Sequence, residues 1–256
     1  EIEELQEAIE RVVAGPERKS RVISENEKDI IAHHEVGHAL LAYLLPNSDP
    51  VHKISILPRG MALGYTLQLP TEDRFLTSKA EMLNRIKVMM GGRIAEEIVF
   101  QSETSGASND IEKASQMVHR MVRRYGMSKL GFRMYGQDDR NVFLGRDITE
   151  HSKDYSDELA HEIDDEINSI LSRCYEEGKD LLLAHKIQLC MIAKILRERE
   201  VITNDELTAL MQTGALPVAV AAPLNQKSSV PAPVLEPENR QSVLPGLQAP
   251  LQGSHA

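Results

Sequence analysis

The feature that most limits how this chain can fold is His34-Glu35-Val36-Gly37-His38, an H-E-x-x-H pattern in a largely apolar stretch. Residues four apart share one face of an α-helix, so two imidazoles at this spacing can reach a single metal ion. Glu35 falls one step round the helix, off the ligand face and close enough to touch a metal-bound water. Zinc lowers the pKa of such a water towards neutrality, and a carboxylate beside it can take the proton as the hydroxide attacks a peptide carbonyl. The pattern therefore points to a helix that mounts a metal, and to hydrolysis of a peptide bond.

The surrounding sequence supplies that helix. Ser24-x-x-Glu27 is a capping box, in which serine and glutamate satisfy each other's orphan backbone donors. From there the apolar positions Ile30, Ile31, Leu40, Leu41, Leu44 and Leu45 predict a firmly buried helix running towards Pro46. Gly37 costs about 1 kcal/mol of helix propensity relative to alanine, which is expected only where another backbone comes close. Upstream, residues 1–14 read as a helix ended by Gly15-Pro16.

Residues 51–57 and 63–69 alternate well enough to be two strands joined through Pro58-Arg59-Gly60. Such a small sheet has two readings, an edge that accepts an extended substrate or a hairpin that covers the core. His52 and Tyr65 are expected in packing or rim roles. A second capping box, Ser78-x-x-Glu81, opens a helix through Gly91-Gly92 to about Val99, the paired glycines permitting close helix packing. A loop of small and polar residues, 101–108, leads to a further helix that places Asp110 near its first turn and ends at Tyr125-Gly126. Residues 127–150 read as a long connection, 151–184 as a long amphipathic helix loosened at Gly178, and 186–199 as a helix with a solvated charged end. Thr203-x-x-Glu206 opens a last short helix that stops at Gly214, and the Pro-rich stretch 215–256 reads as a disordered tail.

Composition agrees with a mainly α fold carrying a small β element and a helical C-terminal part. Aromatic residues are 4% of the chain and tryptophan is absent, so the core must be built from aliphatic residues and methionine. A formal charge of −10 argues against nucleic acid or an anionic membrane surface as a direct partner, and the short basic cluster at 18–21 does not change this. Cys174 and Cys190 form no C-x-x-C pair and read as reduced thiols. No apolar run approaches bilayer length and no signal peptide opens the sequence, so this stretch is expected to be soluble. Its abrupt charged start at Glu1 suggests a piece of a longer polypeptide.

Two histidines do not complete a catalytic zinc site, which usually takes three protein ligands. His119, His151 and His185 lack a second ligand at metal spacing, and His161-Glu162-x-x-Asp165 lacks a closing histidine, so all four read as packed or solvated. Glu96, Glu97, Glu103 and Asp110 remain. Glu96 or Glu97 would follow peptidases that take a glutamate from a second helix, whereas Asp110 would approach past small residues with little hindrance. Spacing alone leaves the choice open.

The run 14–20, the motif itself, Leu63-Gly64-Tyr65-Thr66, the stretch 91–97, Thr104-Ser105-Gly106-Ala107-Ser108-Asn109-Asp110 and Phe143-Leu144-Gly145-Arg146 together resemble the FtsH family of membrane-anchored AAA proteases over about residues 5–212. The resemblance implies that Asp110 is the third zinc ligand beside His34 and His38, that Glu35 is the general base, and that Glu96 orients a ligand or the site. It further implies a linker helix at 1–20 from an upstream ATPase, a peptidase core at 21–150 and a helical part of the same domain at 151–214. By the same resemblance, the full-length protein would be membrane-anchored, with this domain on the cytoplasmic (or stromal or matrix) side. Unfolded polypeptides would be its substrates, six copies its ring, and ATP would act only through the upstream module. Two positions depart from the family pattern. His33 stands where an aromatic residue is common and Val36 where alanine is. His33 points about 100° away from His34 round the helix, so it is expected to pack rather than ligate. Neither a G-x-x-x-x-G-K-[ST] loop nor a membrane span occurs here, so the ATPase and anchor are expected before Glu1. The rival reading is a metal-stabilised scaffold or oligomerisation domain without peptidase activity, against which Glu35 argues, because a structural site needs no base.

Overall fold

The computed structural model describes residues 23–60, 62–70, 75–136 and 155–216, with isolated positions 8, 11, 12, 15 and 16. Most of the expected first helix, His151, the Phe143–Arg146 block and nearly all of the expected tail lie outside the described residues.

Helix α1, Glu25–Leu44, starts at the Ser24–Glu27 capping box, with both reciprocal bonds formed. From Ile31 to Ala42 almost every side chain is buried, so this part of the helix has no wet face and lies inside the molecule. Helix α2, Lys79–Phe100, starts at the Ser78–Glu81 box and stops where Gln101 turns left-handed at φ 52°. A 3₁₀ turn, Ser105–Ala107, precedes α3, Ser108–Arg123. The C-terminal half contributes α4, Asp157–Ala184, α5, Lys186–Arg199, and α6, Asn204–Thr213, the last closed by Gly214 at φ 70°. Among the described residues no helix is long and apolar enough to cross a membrane.

The sheet differs from the expected hairpin. Strands β1, Val51–Ser55, and β2, Tyr65–Gln68, pair antiparallel, but a third strand, β3, Val201–Thr203, pairs antiparallel with the other side of β1. The order is β2-β1-β3, and Ile54 stands opposite both Thr66 and Ile202. The charged end of α5 is accordingly tied down rather than simply solvated. Glu200 adopts φ 64° and its carbonyl accepts from Ile56 N at 3.0 Å, while Lys28 reaches its carboxylate at 2.8 Å and Arg197 reaches Asp29 at 3.3 Å. Gly178 also departs from expectation, because α4 passes through it unbroken. A side chain there would press on Ile94 Cδ1 at 3.0 Å, so the glycine admits α2 rather than loosening α4.

Two apolar cores flank α2. One joins α1, the sheet, α5 and α6 through Leu40, Leu41, Ile54, Ile192, Ile202 and Leu207. The other joins α2, α3 and α4 through Met82, Ile86, Met121, Ile163, Ile170 and Cys174. Each fully buried Leu or Ile stabilises the fold by about 1.5–3 kcal/mol, which fixes the helices that present polar groups. The closest approach of α1 and α2 is at Gly37 and Gly91, where a Cβ on either would meet the other's backbone inside van der Waals contact. Both glycines are explained by that crossing.

Candidate metal centre

The crossing of α1 and α2 sets up the site. His34 and His38 project from one face of α1, and Gly92 of α2 leaves the space that the His34 ring fills, since a Cβ there would collide with the imidazole. Asp110 is the third residue of α3, where free backbone N–H groups favour an ionised carboxylate. Its oxygen Oδ2 lies 3.4 Å from Nε2 of His34 and 3.4 Å from Nε2 of His38, and the two Nε2 atoms are 3.0 Å apart. Among the described residues, these three form the one group of His, Cys, Asp or Glu side chains placed to hold a metal ion.

The chemistry of the donor set asks for a cation at that point. His38 Nδ1 donates to the Val88 carbonyl at 2.7 Å, and His34 Nδ1 donates to Glu96 Oε1 at 2.7 Å. With the ring protons on Nδ1, both neutral imidazoles turn bare Nε2 lone pairs towards each other and towards a carboxylate. Three acceptors this close repel unless something positive sits among them. Ligands held tetrahedrally at zinc distances stand roughly 3.3 Å apart, close to the three separations found here. The residues therefore fit a zinc ion with a fourth position left for water.

The local field tells the same story. Burial would lower the His34 pKa, but its bonds to Asp110 and Glu96 outweigh this and push it up to about 10. Burial would raise Asp110, yet the two histidines hold it well below the ordinary aspartate range. A proton takes up part of the demand for positive charge, and a metal ion would displace it.

Glu96 is placed behind His34 rather than beside Asp110. Its Oε2 also accepts from Thr104 N at 3.0 Å, so one carboxylate ties a histidine of α1 to the turn that leads to Asp110. Burial works against its charge, but these bonds keep Glu96 below its ordinary pKa. Glu97 points elsewhere, to Tyr175 and to Lys179 at 2.8 Å, and Glu103 pairs with Arg93. His33 is buried against Phe100, with its Nδ1 bonded to Asp29 O at 2.8 Å, as a packed residue would be. His185 bonds its own helix at Leu181 O, and His161 is exposed.

Glu35 is buried, and that burial raises its pKa against the opposing charges of His38 and His34. Thr66 Oγ1 lies 2.8 Å from Glu35 Oε2 and 2.9 Å from Glu35 O. In the sequence Thr66 stands only as a position of the 63–69 alternation and of the Leu63-Gly64-Tyr65-Thr66 block, neither of which assigns it a role. A signal was present in Gly64-x-Thr66, a glycine and a hydroxyl two positions apart in the second stretch of alternation after the metal-motif helix.

A mainly helical domain in which an H-E-x-x-H helix and an aspartate of another helix present three side chains placed to hold one metal ion has the arrangement of a zincin-type centre. The chain belongs to peptidase family M41, whose family model matches residues 21–210. It is 50% identical over 214 residues to the ATP-dependent zinc metalloprotease FtsH of Pseudothermotoga lettingae, covering 83% of this chain and 34% of that protein. Identity is 44% over 254 residues to the ATP-dependent zinc metalloprotease FtsH 1 of Conexibacter woesei, covering 99% and 39%. Identity is 48% over 212 residues to the FtsH of Thermotoga maritima, covering 82% and 35%. The chain thus spans little more than a third of the length of these curated relatives.

Proposed function

We propose that this chain is the zinc-dependent endopeptidase part of an FtsH-type protease and that its substrates are unfolded or membrane-derived polypeptides. The observation that carries the reading is the meeting of two histidine Nε2 atoms and one ionised carboxylate beside a buried glutamate. His34, His38 and Asp110 would hold the zinc, which when bound would supply Lewis acidity to the scissile carbonyl and to the attacking water. Glu35 takes the proton of that water on its carboxylate and then passes it to the leaving amine. Its raised pKa suits a group that must both accept and return a proton. Glu96 and the Val88 carbonyl hold the imidazoles in the Nδ1-protonated form, leaving Nε2 free to ligate.

The remaining parts of the reading rest on the relatives and on resemblance. The relatives' names include ATP dependence, and the chain covers little more than a third of each, which supports an ATPase module elsewhere in the full-length protein. A membrane anchor, a ring of six copies and a cytoplasmic, stromal or matrix position for this domain follow from the FtsH resemblance. A purely structural metal site is the weaker reading, since it gives no use to a buried carboxylate next to the ligands.

The test is Glu35→Gln in the full-length protein with unfolded casein. Cleavage is expected to vanish while zinc stays near one ion per chain. Undiminished hydrolysis would sink the mechanism.

A further inference from the structure

Glu35 is held from two sides by a single strand face. Gly64 and Thr66, two positions apart, lie on the same side of the chain as it enters β2. A Cβ on Gly64 would stand 2.9 Å from Ile31 Cγ2 and 3.0 Å from both Glu35 Oε1 and Glu35 Cγ, whereas Thr66 Oγ1 is 2.8 Å from Oε2. One oxygen of the carboxylate is thus given room by an absent side chain, and the other is bonded by a hydroxyl. Thr66 has one proton and two acceptors in reach, the Glu35 carboxylate and the Glu35 carbonyl at 2.9 Å. The carboxylate is the stronger acceptor when ionised, and the carbonyl already lies within the α1 hydrogen-bond ladder.

The strand itself has little freedom to shift. Thr66 is in register with Ile54 of β1, which is fully buried and is fixed on its other side by Ile202 of β3. The hydroxyl therefore approaches Glu35 from β2, an element other than the helix that carries the glutamate.

We propose that Thr66 is a positioning residue for the general base, and that Gly64 keeps open the space in which the Glu35 carboxylate lies. This rests on the peptidase reading given above. A glutamate side chain has three rotatable bonds and costs about 1.5–2 kcal/mol to immobilise, so helix placement alone does not fix its carboxylate. Displacement of a reacting group by about 1 Å can cost 10²-fold in rate. Thr66 acts through Glu35 and does not touch the metal ligands, so its loss lowers turnover without loss of zinc.

The experiment compares Thr66→Val, Thr66→Ser, Gly64→Ala and Glu35→Gln in the full-length protein with a fluorogenic peptide, measuring kcat and KM separately together with zinc content. Thr66→Val is expected to lower kcat by about 10- to 100-fold with KM within about twofold and zinc unchanged. Thr66→Ser, which restores the hydroxyl, is expected to recover most of that loss, and Gly64→Ala to lower kcat by pressing on the same carboxylate. Infrared difference spectra of the zinc-free protein give a readout independent of turnover. The carboxylate band that disappears in Glu35→Gln should shift in Thr66→Val and return in Thr66→Ser. A Thr66→Val protein with near-normal kcat and an unshifted band, beside an inactive Glu35→Gln, overturns the positioning role alone. Equal losses in Thr66→Ser and Thr66→Val also overturn it. Full activity in Glu35→Gln overturns the peptidase mechanism and this inference together.

Discussion

Gly37 and Gly91 meet backbone to backbone where α1 crosses α2, one residue from His38 on the first helix and one residue from the glycine under the His34 ring on the second. Alanine at Gly37 would gain about 1 kcal/mol of helix propensity, but its Cβ would fall on the Gly91 carbonyl, a backbone atom that cannot rotate away. Overpacking of this kind costs typically 1–3 kcal/mol, so Gly37→Ala and Gly91→Ala should both lower the unfolding midpoint. Denaturant unfolding of the zinc-free protein checks this. A stabilised Gly37→Ala would show that the helices do not cross so closely.

Asp110 and Glu96 divide the acidic work at the site, and their loss should be distinguishable. Asp110→Asn removes an anionic ligand and is expected to abolish stoichiometric zinc binding. Glu96→Gln removes only the partner of His34 Nδ1 and of Thr104 N, and should weaken zinc by about 10- to 100-fold. Competition against a chromogenic chelator measures both. Retention of zinc by Asp110→Asn with complete loss in Glu96→Gln would reverse the assignment.

Zinc affinity should rise with pH. Without metal, the carboxylates keep His34 protonated up to about 10, so ligation must release that proton throughout the neutral range. One proton released makes the apparent affinity increase about tenfold per pH unit. Asp110 is ionised far below this range and adds no further dependence. Zinc titrations at three pH values between 6 and 9, corrected for the chelator's own titration, give the slope. A flat profile would show that no proton occupies the site.

The two thiols should differ in reactivity. Burial pushes Cys174 up to about 11, and its sulfur is packed among α2, α3 and α4 side chains, whereas Cys190 is partly accessible. At pH 8, iodoacetamide is expected to modify Cys190 in the native protein and Cys174 only after denaturation. Above the ordinary thiol pKa of about 9, the unfolded chain ionises Cys174 before the folded chain does, so this group subtracts stability as pH rises. Mass mapping of the labelled peptides separates the two sites.

What the sequence disclosed was mostly local. All three capping boxes, at Ser24, Ser78 and Thr203, lie where the sequence places them, because a cap is closed by residues three apart and needs no tertiary partner. The crowding implied by Gly37 was readable too, since a glycine in a buried helix calls for a neighbour. β3 was not, because three residues carry no alternation and their partner, Ile54, lies far away in the chain. The charges at 197–200 looked like a solvated end for the same reason, as Asp29 and Lys28 are remote in sequence. Among Glu96, Glu97, Glu103 and Asp110 the residues alone gave no decision. The fold brings Asp110 to the two Nε2 atoms and turns Glu97 and Glu103 towards cationic partners.

The place of β3 also sets a clock. The helix bearing His34 leaves the ribosome about 170 residues before Ile202, the residue that covers the far side of Ile54 and helps close the core against α1. At ~5–20 residues per second, that interval is roughly ten to thirty seconds. During it, β1 lacks one neighbour and α1 lacks the α5 and α6 side chains that bury it, so the core around the H-E-x-x-H helix closes only when the C-terminal elements have been made.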